Sequence, residues 1–432
     1  MIEVLSREEK LSAQATTALS RLHIPALDGI RGLAILVVLY AHFTMKEPVG
    51  LALTVFDRFY FRSAQLGWWG VDLFFVLSGF LITGILFDAK GKQHFFRNFY
   101  MRRVLRIFPL YYGVLVLAFV IVPLAMPPHS SSNSTGTISS LWLWFYASNI
   151  AIGYYNALPH FSDLFEFNHF WSLAVEEHFY FLWPFLVYAF RRKPLLWICG
   201  GIIVGALALR LMMVELDIHW LKRFFLTPCR MDALAMGALL ALLVRGSWQQ
   251  ARLVKLARWV ALIGGLILLG VILSNAYPEV LWRGKSWNAY FLQPDQVPGS
   301  DWMSWFLHAG LLSVLAPVFA ALLLLAVYAK PGSLTSTFWN SSFLRFFGKY
   351  SYGIYVFHVV FSRYTRGWAD YALAQVARLQ THLPAALAAV MSAPMFRSLL
   401  YFSITTAASV AIAWLSWHLY EKHFLKLKDR FA

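Results

Sequence analysis

The residues of this chain that could do chemistry are ionisable side chains set inside apolar runs. Arg31 and His42 stand eleven positions apart in IPALDGIRGLAILVVLYAHF, residues 24–43. At 3.6 residues per turn and 1.5 Å rise this spacing is about three turns and roughly 16 Å, so both lie on one helix face. A cation at a bilayer-spanning position costs about 2.5–3.5 kcal/mol on insertion scales, so such a helix turns it toward a partner or a wet cavity. Taken singly, Arg31 reads as a side chain snorkelling beside Asp28, and His42 as a headgroup-layer residue. The pair on one stripe points instead to an interior face.

Three further constellations can act with this stripe. Asp72 lies in GWWGVDLFFVLSGFLITGILF at a depth similar to His42. A carboxylate bonded to an imidazole would fix its tautomer and raise its basicity, as a general base requires, although an N-cap or an interface charge would also account for it. In FFRNFYMRRVLRIFPLYY, Arg102, Arg103 and Arg106 form a basic cluster whose guanidinium forks suit phosphates; positive loop charge alone would also explain them. In NHFWSLAVEEHFYFLWP, His169, Ser172, Glu176 and Tyr180 follow one helical stripe, and Glu177 points about 100° away from Glu176. Two adjacent carboxylates in an apolar helix are costly, so one should face a wet cavity, with an arginine such as Arg210 or Arg230 a competing partner for Glu177.

The elements that must position these groups are membrane helices. Of 432 residues, 59% are hydrophobic and 13% charged, with a mean hydropathy of +0.59, too apolar for a soluble globule. The net charge of +16 sits in short loops between apolar spans, which argues against nucleic acid as a partner and for cytoplasmic loops. Cys199 and Cys229 are too few and too isolated for a disulfide framework or a metal site.

Windows of about 20 apolar residues predict an all-α polytopic membrane bundle with ten spans, near 25–45, 67–87, 103–126, 170–190, 195–214, 228–245, 256–275, 304–328, 346–365 and 398–418. Leu141 to Tyr155 is apolar but short. Counting it as a span would put Arg191, Arg192, Lys193, Arg245, Arg252, Lys255 and Arg258 outside. A re-entrant or interfacial segment keeps them inside, with both termini cytoplasmic. Residues 1–24 form a polar segment without a signal-peptide h-region, and 421–432 a short basic tail with no room for an appended domain.

Other features carry less. Pro127 to Ser140 reads as a flexible connector, while Trp282, Arg283, Trp287, Tyr290 and Asp295 make a loop that could stack on sugars or serve as an aromatic belt. Arg230 and Asp232 are expected to neutralise each other or neighbours, and His308 and His358 to be packing residues. There is no GxSxG elbow, HExxH, P-loop or dinucleotide motif.

Six of these pieces, in order, resemble the acyltransferase-3 family of integral-membrane acyltransferases: Arg31-x10-His42, GVDLFFVLSGFLIT from Gly70, RRVLRIFP from Arg102, HFWSLAVEEHFYFLWP from His169, RMDALAMG from Arg230 and GKYSYGIYVFH from Gly348. The resemblance covers nearly all of the chain and makes residues 25–420 a transmembrane acyltransferase domain. It implies transfer of an acyl group, usually acetyl, from cytosolic acyl-CoA to a hydroxyl of an extracytoplasmic glycan such as O-antigen or exopolysaccharide, at the bacterial inner membrane and without a metal. Some members carry a fused extracytoplasmic esterase-like domain that is not in this sequence, which leaves open whether a separate partner completes the transfer; the partners to look for are an extracytoplasmic protein or a homo-oligomer. On this reading Arg102, Arg103 and Arg106 hold the CoA phosphates and Arg31 guides the pantetheine arm. His42 deprotonates the acceptor or transiently takes the acyl group, oriented by Asp72 or Glu176, with His169 nearby. A proton-coupled transporter or flippase of an envelope precursor, using the same His and Glu groups as a relay, is the alternative, and a structural subunit of an envelope-synthesis complex a third.

Overall fold

The computed structural model describes residues 24–51, 53–125, 138–246, 248–277 and 306–431, without the side chains of 307, 308 and 429. The sugar-stacking expectation for Trp282 to Asp295, the connector expectation for most of Pro127 to Ser140, the polar segment before residue 24 and the side chain of His308 lie outside the described residues. Among the described residues the chain is helical with no strand. In chain order the helices are α1 (Pro25–Phe43), α2 (Val55–Ala64), α3 (Trp69–Ala89), α4 (Phe95–Val116, extended through a π turn to Ala125), α5 (Leu141–Trp144) and α6 (Ser148–Tyr155). There follow α7 (Phe170–Ala189), α8 (Arg192–Glu215), α9 (Trp220–Phe225), α10 (Met231–Val244), α11 (Gln250–Ala276) and α12 (Leu311–Val327). The last are α13 (Leu334–Trp339), α14 (Ser342–Val360), α15 (Ser362–Gln380), α16 (Ala385–Ser392), α17 (Pro394–Ser416) and α18 (Lys422–Leu427).

A helix occupies each of the ten apolar windows, and six are long and apolar enough to cross a membrane: α1, α3, α4 to Ala125, α8, α11 and α17 continued to Leu427. The other four differ for readable reasons. Helices α10 and α12 have 14 and 17 residues, about 21 and 26 Å at 1.5 Å per residue. Helices α7 and α14 are longer but dilute their apolar residues with Glu176, Glu177, His178, Arg345 and Lys349. The Leu141 to Tyr155 stretch is two short helices, the longer of 8 residues, or about 12 Å, too short to span ~30 Å of hydrocarbon. Residues 366–397, between the last two apolar windows, carry most of α15 and all of α16.

Packing at the centre is backbone against backbone. A Cβ on Gly29, Gly32 or Gly348 would lie 1.9 Å from a carbonyl oxygen of the facing helix or of the segment leading into it, and the same holds for Gly79 and Gly237 between α3 and α10. Lipid tails are as apolar as leucine, so such helices associate through close van der Waals approach, which small residues permit. In contrast, only 22% of the apolar windows of α8 and α11 is buried, so these helices lie at the rim, with Trp197, Val204, Leu262 and Leu266 exposed.

Buried charges in this bundle are paired. Arg210 Nη2 donates to Asp232 Oδ2 at 2.6 Å and to Ser313 Oγ at 2.6 Å, and Arg210 Nε donates to the Ala309 carbonyl at 3.0 Å. Arg230 Nη2 donates to Asp72 Oδ1 at 2.9 Å, with its guanidinium 4.7 Å from the Phe224 ring centroid. The expected neutralisation of Arg230 and Asp232 is therefore made with neighbours across the bundle. Lys90 Nζ closes the end of α7 by donating to the carbonyls of Val187 and Phe190, at 2.8 and 2.7 Å.

Candidate active site

The site is built where α1, α4, α7 and α14 meet around two adjoining cavities. The wider, of about 1490 Å³, is lined by the cations Arg31, Arg106, Arg345, Lys349 and Lys428 against the acids Asp28 and Glu421. The narrower, of about 850 Å³, takes in Arg31, Arg103, Arg106, Ser78, Glu176, Glu177 and Tyr180, with Leu77, Leu81 and Ile82 on an apolar wall. Arg31, Arg106, Ser351 and Tyr352 line both. A guanidinium pair therefore stands at the junction, and Arg31 is steadied by Asp28 at 2.7 Å one helical turn back.

Inside the narrower cavity the carboxylates are not equivalent. The Ser78 hydroxyl donates to Glu176 Oε1 at 2.6 Å and lies 2.8 Å from the Tyr180 hydroxyl. Ser78 reads in the sequence only as a small residue for close helix approach; its partner is on another helix, and helical spacing along α3 gives no sign of it. Glu177 Oε1 is buried without a hydrogen-bond partner. The expected competitors for Glu177 are engaged elsewhere, Arg210 with Asp232 and Arg230 with Asp72. Arg103 places its guanidinium 5.4 Å from the Tyr180 ring centroid.

The far end of the narrower cavity is a pair of hydroxyls backed by three imidazoles. Ser172 and Tyr355 line the cavity, are hydrogen-bonded to each other, and have their hydroxyl oxygens 3.1 and 3.2 Å from the His169 carbonyl oxygen, which one of the two protons can serve. The His358 ring centroid is 5.4 Å from that of Tyr355, 5.0 Å from that of His169 and 4.8 Å from that of His42. His42 itself is exposed and does not line the cavity. Arg31 and His42 are thus linked through α14 by a run of contacts: cavity, Tyr355, His358, His42.

Two sequence expectations are corrected here. Asp72 does not orient His42: its carboxylate is turned to Arg230 on the α10 side, and both are 1% exposed. Nor does Glu176, which is held by Ser78. The Nδ1–H of His42 donates instead to the Val38 carbonyl at 2.9 Å, so a backbone group one turn away sets the tautomer that a carboxylate was expected to set. Arg102 is the second correction. Its Nε donates to the Phe431 carbonyl at 2.6 Å and it lines neither cavity, while Arg103 and Arg106, three residues apart, face inward. His358, taken from sequence as a packing residue, stands at the centre of the imidazole group. Its signal was GKYSYGIYVFH, in which Ser351, Tyr352, Tyr355 and His358 recur at helical spacing.

Among the described residues, no group of three or more His, Cys, Asp or Glu is arranged to hold a metal ion. The arrangement offers cations for a phosphorylated ligand, a chamber with carboxylate and hydroxyl groups, and imidazoles that open to the surface at His42.

Comparison with known proteins fits this architecture. The chain is similar to the peptidoglycan O-acetyltransferase OatA of Listeria monocytogenes serovar 1/2a (strain ATCC BAA-679 / EGD-e), 28% identical over 354 residues, which are 79% of this chain and 50% of that protein. It is 26% identical over 353 residues to the O-acetyltransferase OatA of Staphylococcus aureus (strain NCTC 8325 / PS 47), covering 78% of this chain and 50% of that protein. The chain spans about half the length of the curated relatives it matches. No solved structure matches it. The profile of one family, described as an acyltransferase domain, matches residues 24–418. By that match over nearly its whole length, the chain belongs to the acyltransferase-3 family.

Proposed function

We propose that the protein is a membrane O-acyltransferase that moves an acyl group, most simply acetyl, from cytosolic acyl-CoA to a hydroxyl of an extracytoplasmic glycan. The observation that carries this reading is the wall shared by the two cavities. Arg31 and Arg106 stand between a wide basic vestibule and a narrower chamber that ends on Ser172 and Tyr355, next to the imidazoles. The excess of positive charge in the vestibule suits the phosphates of CoA, because guanidinium forks pair with phosphate oxygens. The chamber, part apolar and part hydroxyl-lined, suits the long uncharged arm that carries the thioester.

The chemistry follows from tautomers. His42 Nδ1 gives its proton to the Val38 carbonyl, which leaves Nε2 as a lone pair able to take the proton of an acceptor hydroxyl. The hydroxyl oxygen then bonds to the thioester carbonyl carbon, the carbon–sulfur bond breaks, and the thiolate regains a proton. Ten crossings with both termini in the cytoplasm of a bacterial inner membrane belong to this proposal, supported by the basic loops and by a helix in each window. Peptidoglycan is the first acceptor class to test, since the Listeria relative bears that name. Participation of an extracytoplasmic partner protein or a second copy in the transfer is also part of the proposal.

The test uses the full chain in nanodiscs with acetyl-labelled acetyl-CoA and peptidoglycan glycan strands. Label is expected in the glycan with wild type and is expected to be lost in His42→Ala at an unchanged thermal midpoint. Wild-type labelling in His42→Ala would refute the assignment. Uptake of a glycan precursor into proteoliposomes without release of CoA thiol would favour the transporter instead.

A further inference from the structure

Glu177 lines the narrower chamber and takes no part in the transfer step set out above. Its Oε1 is buried without a hydrogen-bond partner, and no described residue donates to its other oxygen. Leaving a buried acceptor unpaired costs more than an average hydrogen bond gains, so the group calls for a donor.

The hydroxyls of the chamber do not supply one. Ser78 donates to Glu176 Oε1 at 2.6 Å, with the Tyr180 hydroxyl behind it. Ser351 donates to the Gly348 carbonyl at 2.9 Å, Tyr352 donates to the Ile107 carbonyl at 2.8 Å, and Ser172 and Tyr355 are bonded to each other. Arg103 acts on Glu177 through space, but its guanidinium lies over the Tyr180 ring and the two form no ion pair. What enters the chamber has to bring the donor.

An ionised carboxylate only accepts, so its complement is an N–H or O–H group. On the reading above the entrant is the thioester arm of CoA, which is uncharged and carries two secondary amides, the first of them two methylenes from the sulfur. Ser172 marks the end of the chamber, and Glu177 follows it by five residues on α7, about 7.5 Å along the axis at 1.5 Å per residue. An arm whose thioester reaches that end passes Glu177 with its amide.

We infer that Glu177 recognises the amide of the donor: its carboxylate accepts the N–H of the secondary amide nearest the thioester sulfur and so sets how deep the thioester sits. No bond is made or broken at Glu177, which is a binding residue that selects pantetheine-type thioesters. The adjacent carboxylates on α7 then have separate partners, Ser78 for Glu176 and the donor for Glu177. This inference rests on the acyl-CoA reading above and deepens it by naming the chemical group that is recognised.

The test uses the full chain in nanodiscs and two donors, acetyl-CoA and its analogue in which oxygen replaces that N–H, with Kd read by calorimetry for wild type, Glu177→Leu and Glu177→Gln. A hydrogen bond to a charged acceptor corresponds to about 10- to 150-fold in affinity, so wild type is expected to bind the ester analogue at least about tenfold more weakly than acetyl-CoA. Glu177→Leu has no acceptor, and its two Kd values are expected to agree within about threefold. Glu177→Gln keeps an acceptor oxygen and is expected to retain a preference for the amide. A glutamate that only balances the charge of Arg103 would give a different pattern, with both donors weakened equally in Glu177→Leu and their ratio left at the wild-type value. That pattern would overturn the inference, and so would wild type binding both donors alike. Should Glu177→Leu fail to fold, Glu177→Met, whose flexible side chain fills irregular space, takes its place. Failure of wild type to bind either donor would end the acyl-CoA reading itself, whereas tight and equal binding of both ends only the amide assignment.

Discussion

Alanine at position 32 would push apart the two helices that carry the site. A Cβ on Gly32 sits 1.9 Å from the Leu344 carbonyl oxygen, whereas ordinary contact begins near 3.4 Å, so α1 and α14 must separate by roughly 1.5 Å. The obstacle is helix backbone and cannot rotate away. Overpacking of this kind costs about 1–3 kcal/mol, which should appear as a lower thermal midpoint in detergent. The functional effect should be larger. His42 rides on α1, and Ser351, Tyr352 and Tyr355, which line the chamber, ride on α14; a misplacement of about 1 Å in a site costs on the order of 10²-fold in rate. Gly32→Ala is therefore expected to reduce kcat for acetyl transfer about 100-fold. Gly200→Ala is the matched control, because a Cβ there meets nothing within 4 Å, and it should leave both rate and midpoint at or above wild type. Gly32→Ala with wild-type rate and midpoint would refute the close approach and the positioning role built on it.

Ser78→Ala removes a donor to the Glu176 carboxylate, a bond class worth about 1.5–3 kcal/mol, so kcat should drop about 10- to 150-fold; a loss under threefold would set Glu176 outside the chemistry. Arg106→Gln should raise the acetyl-CoA Kd about tenfold or more by calorimetry, while Arg102→Gln, whose side chain holds the Phe431 carbonyl, should leave it unchanged. The reverse ranking would contradict the cavity assignment. Asp72→Ala should destabilise the protein by about 3–5 kcal/mol because Arg230 is left buried and uncompensated, and Asp72→Leu with Arg230→Met should recover most of that loss in thermal midpoint.

That charge-bearing stripes turn inward was legible in the sequence, whereas the neighbour each side chain meets was legible only in part. Arg31, Arg106 and Glu176 came out at the cavity because burying a charge in an apolar helix is costly wherever it sits, so the stripe that carries charge must find company. Asp72 was read as a partner for His42, yet its carboxylate is turned sideways to Arg230. Which neighbour stands beside a carboxylate depends on which helices pack there, and spacing within one helix carries no such information. The arginine cluster shows the same limit one residue at a time: Arg102 and Arg106 share a face in projection, but the C-terminal segment takes Arg102, and Arg103 turns inward. His358 was read as a packing residue, and the two rings it meets stand on other helices, which spacing within one helix does not reveal.

The glycine-lined contact between α1 and α14 also sets a timetable. These helices are separated by residues 44–341, and chains emerge from the ribosome N-terminus first. The segment bearing Arg31 and His42 must therefore dwell in the bilayer without its α14 partner, Arg31 held by Asp28 of its own helix, until the stretch from Ser342 has been translated. During that interval the charged side chain has to be tolerated by lipid, water or a provisional neighbour, so quality control acting on nascent membrane proteins should catch slow-translating or truncated forms of this chain at that stage.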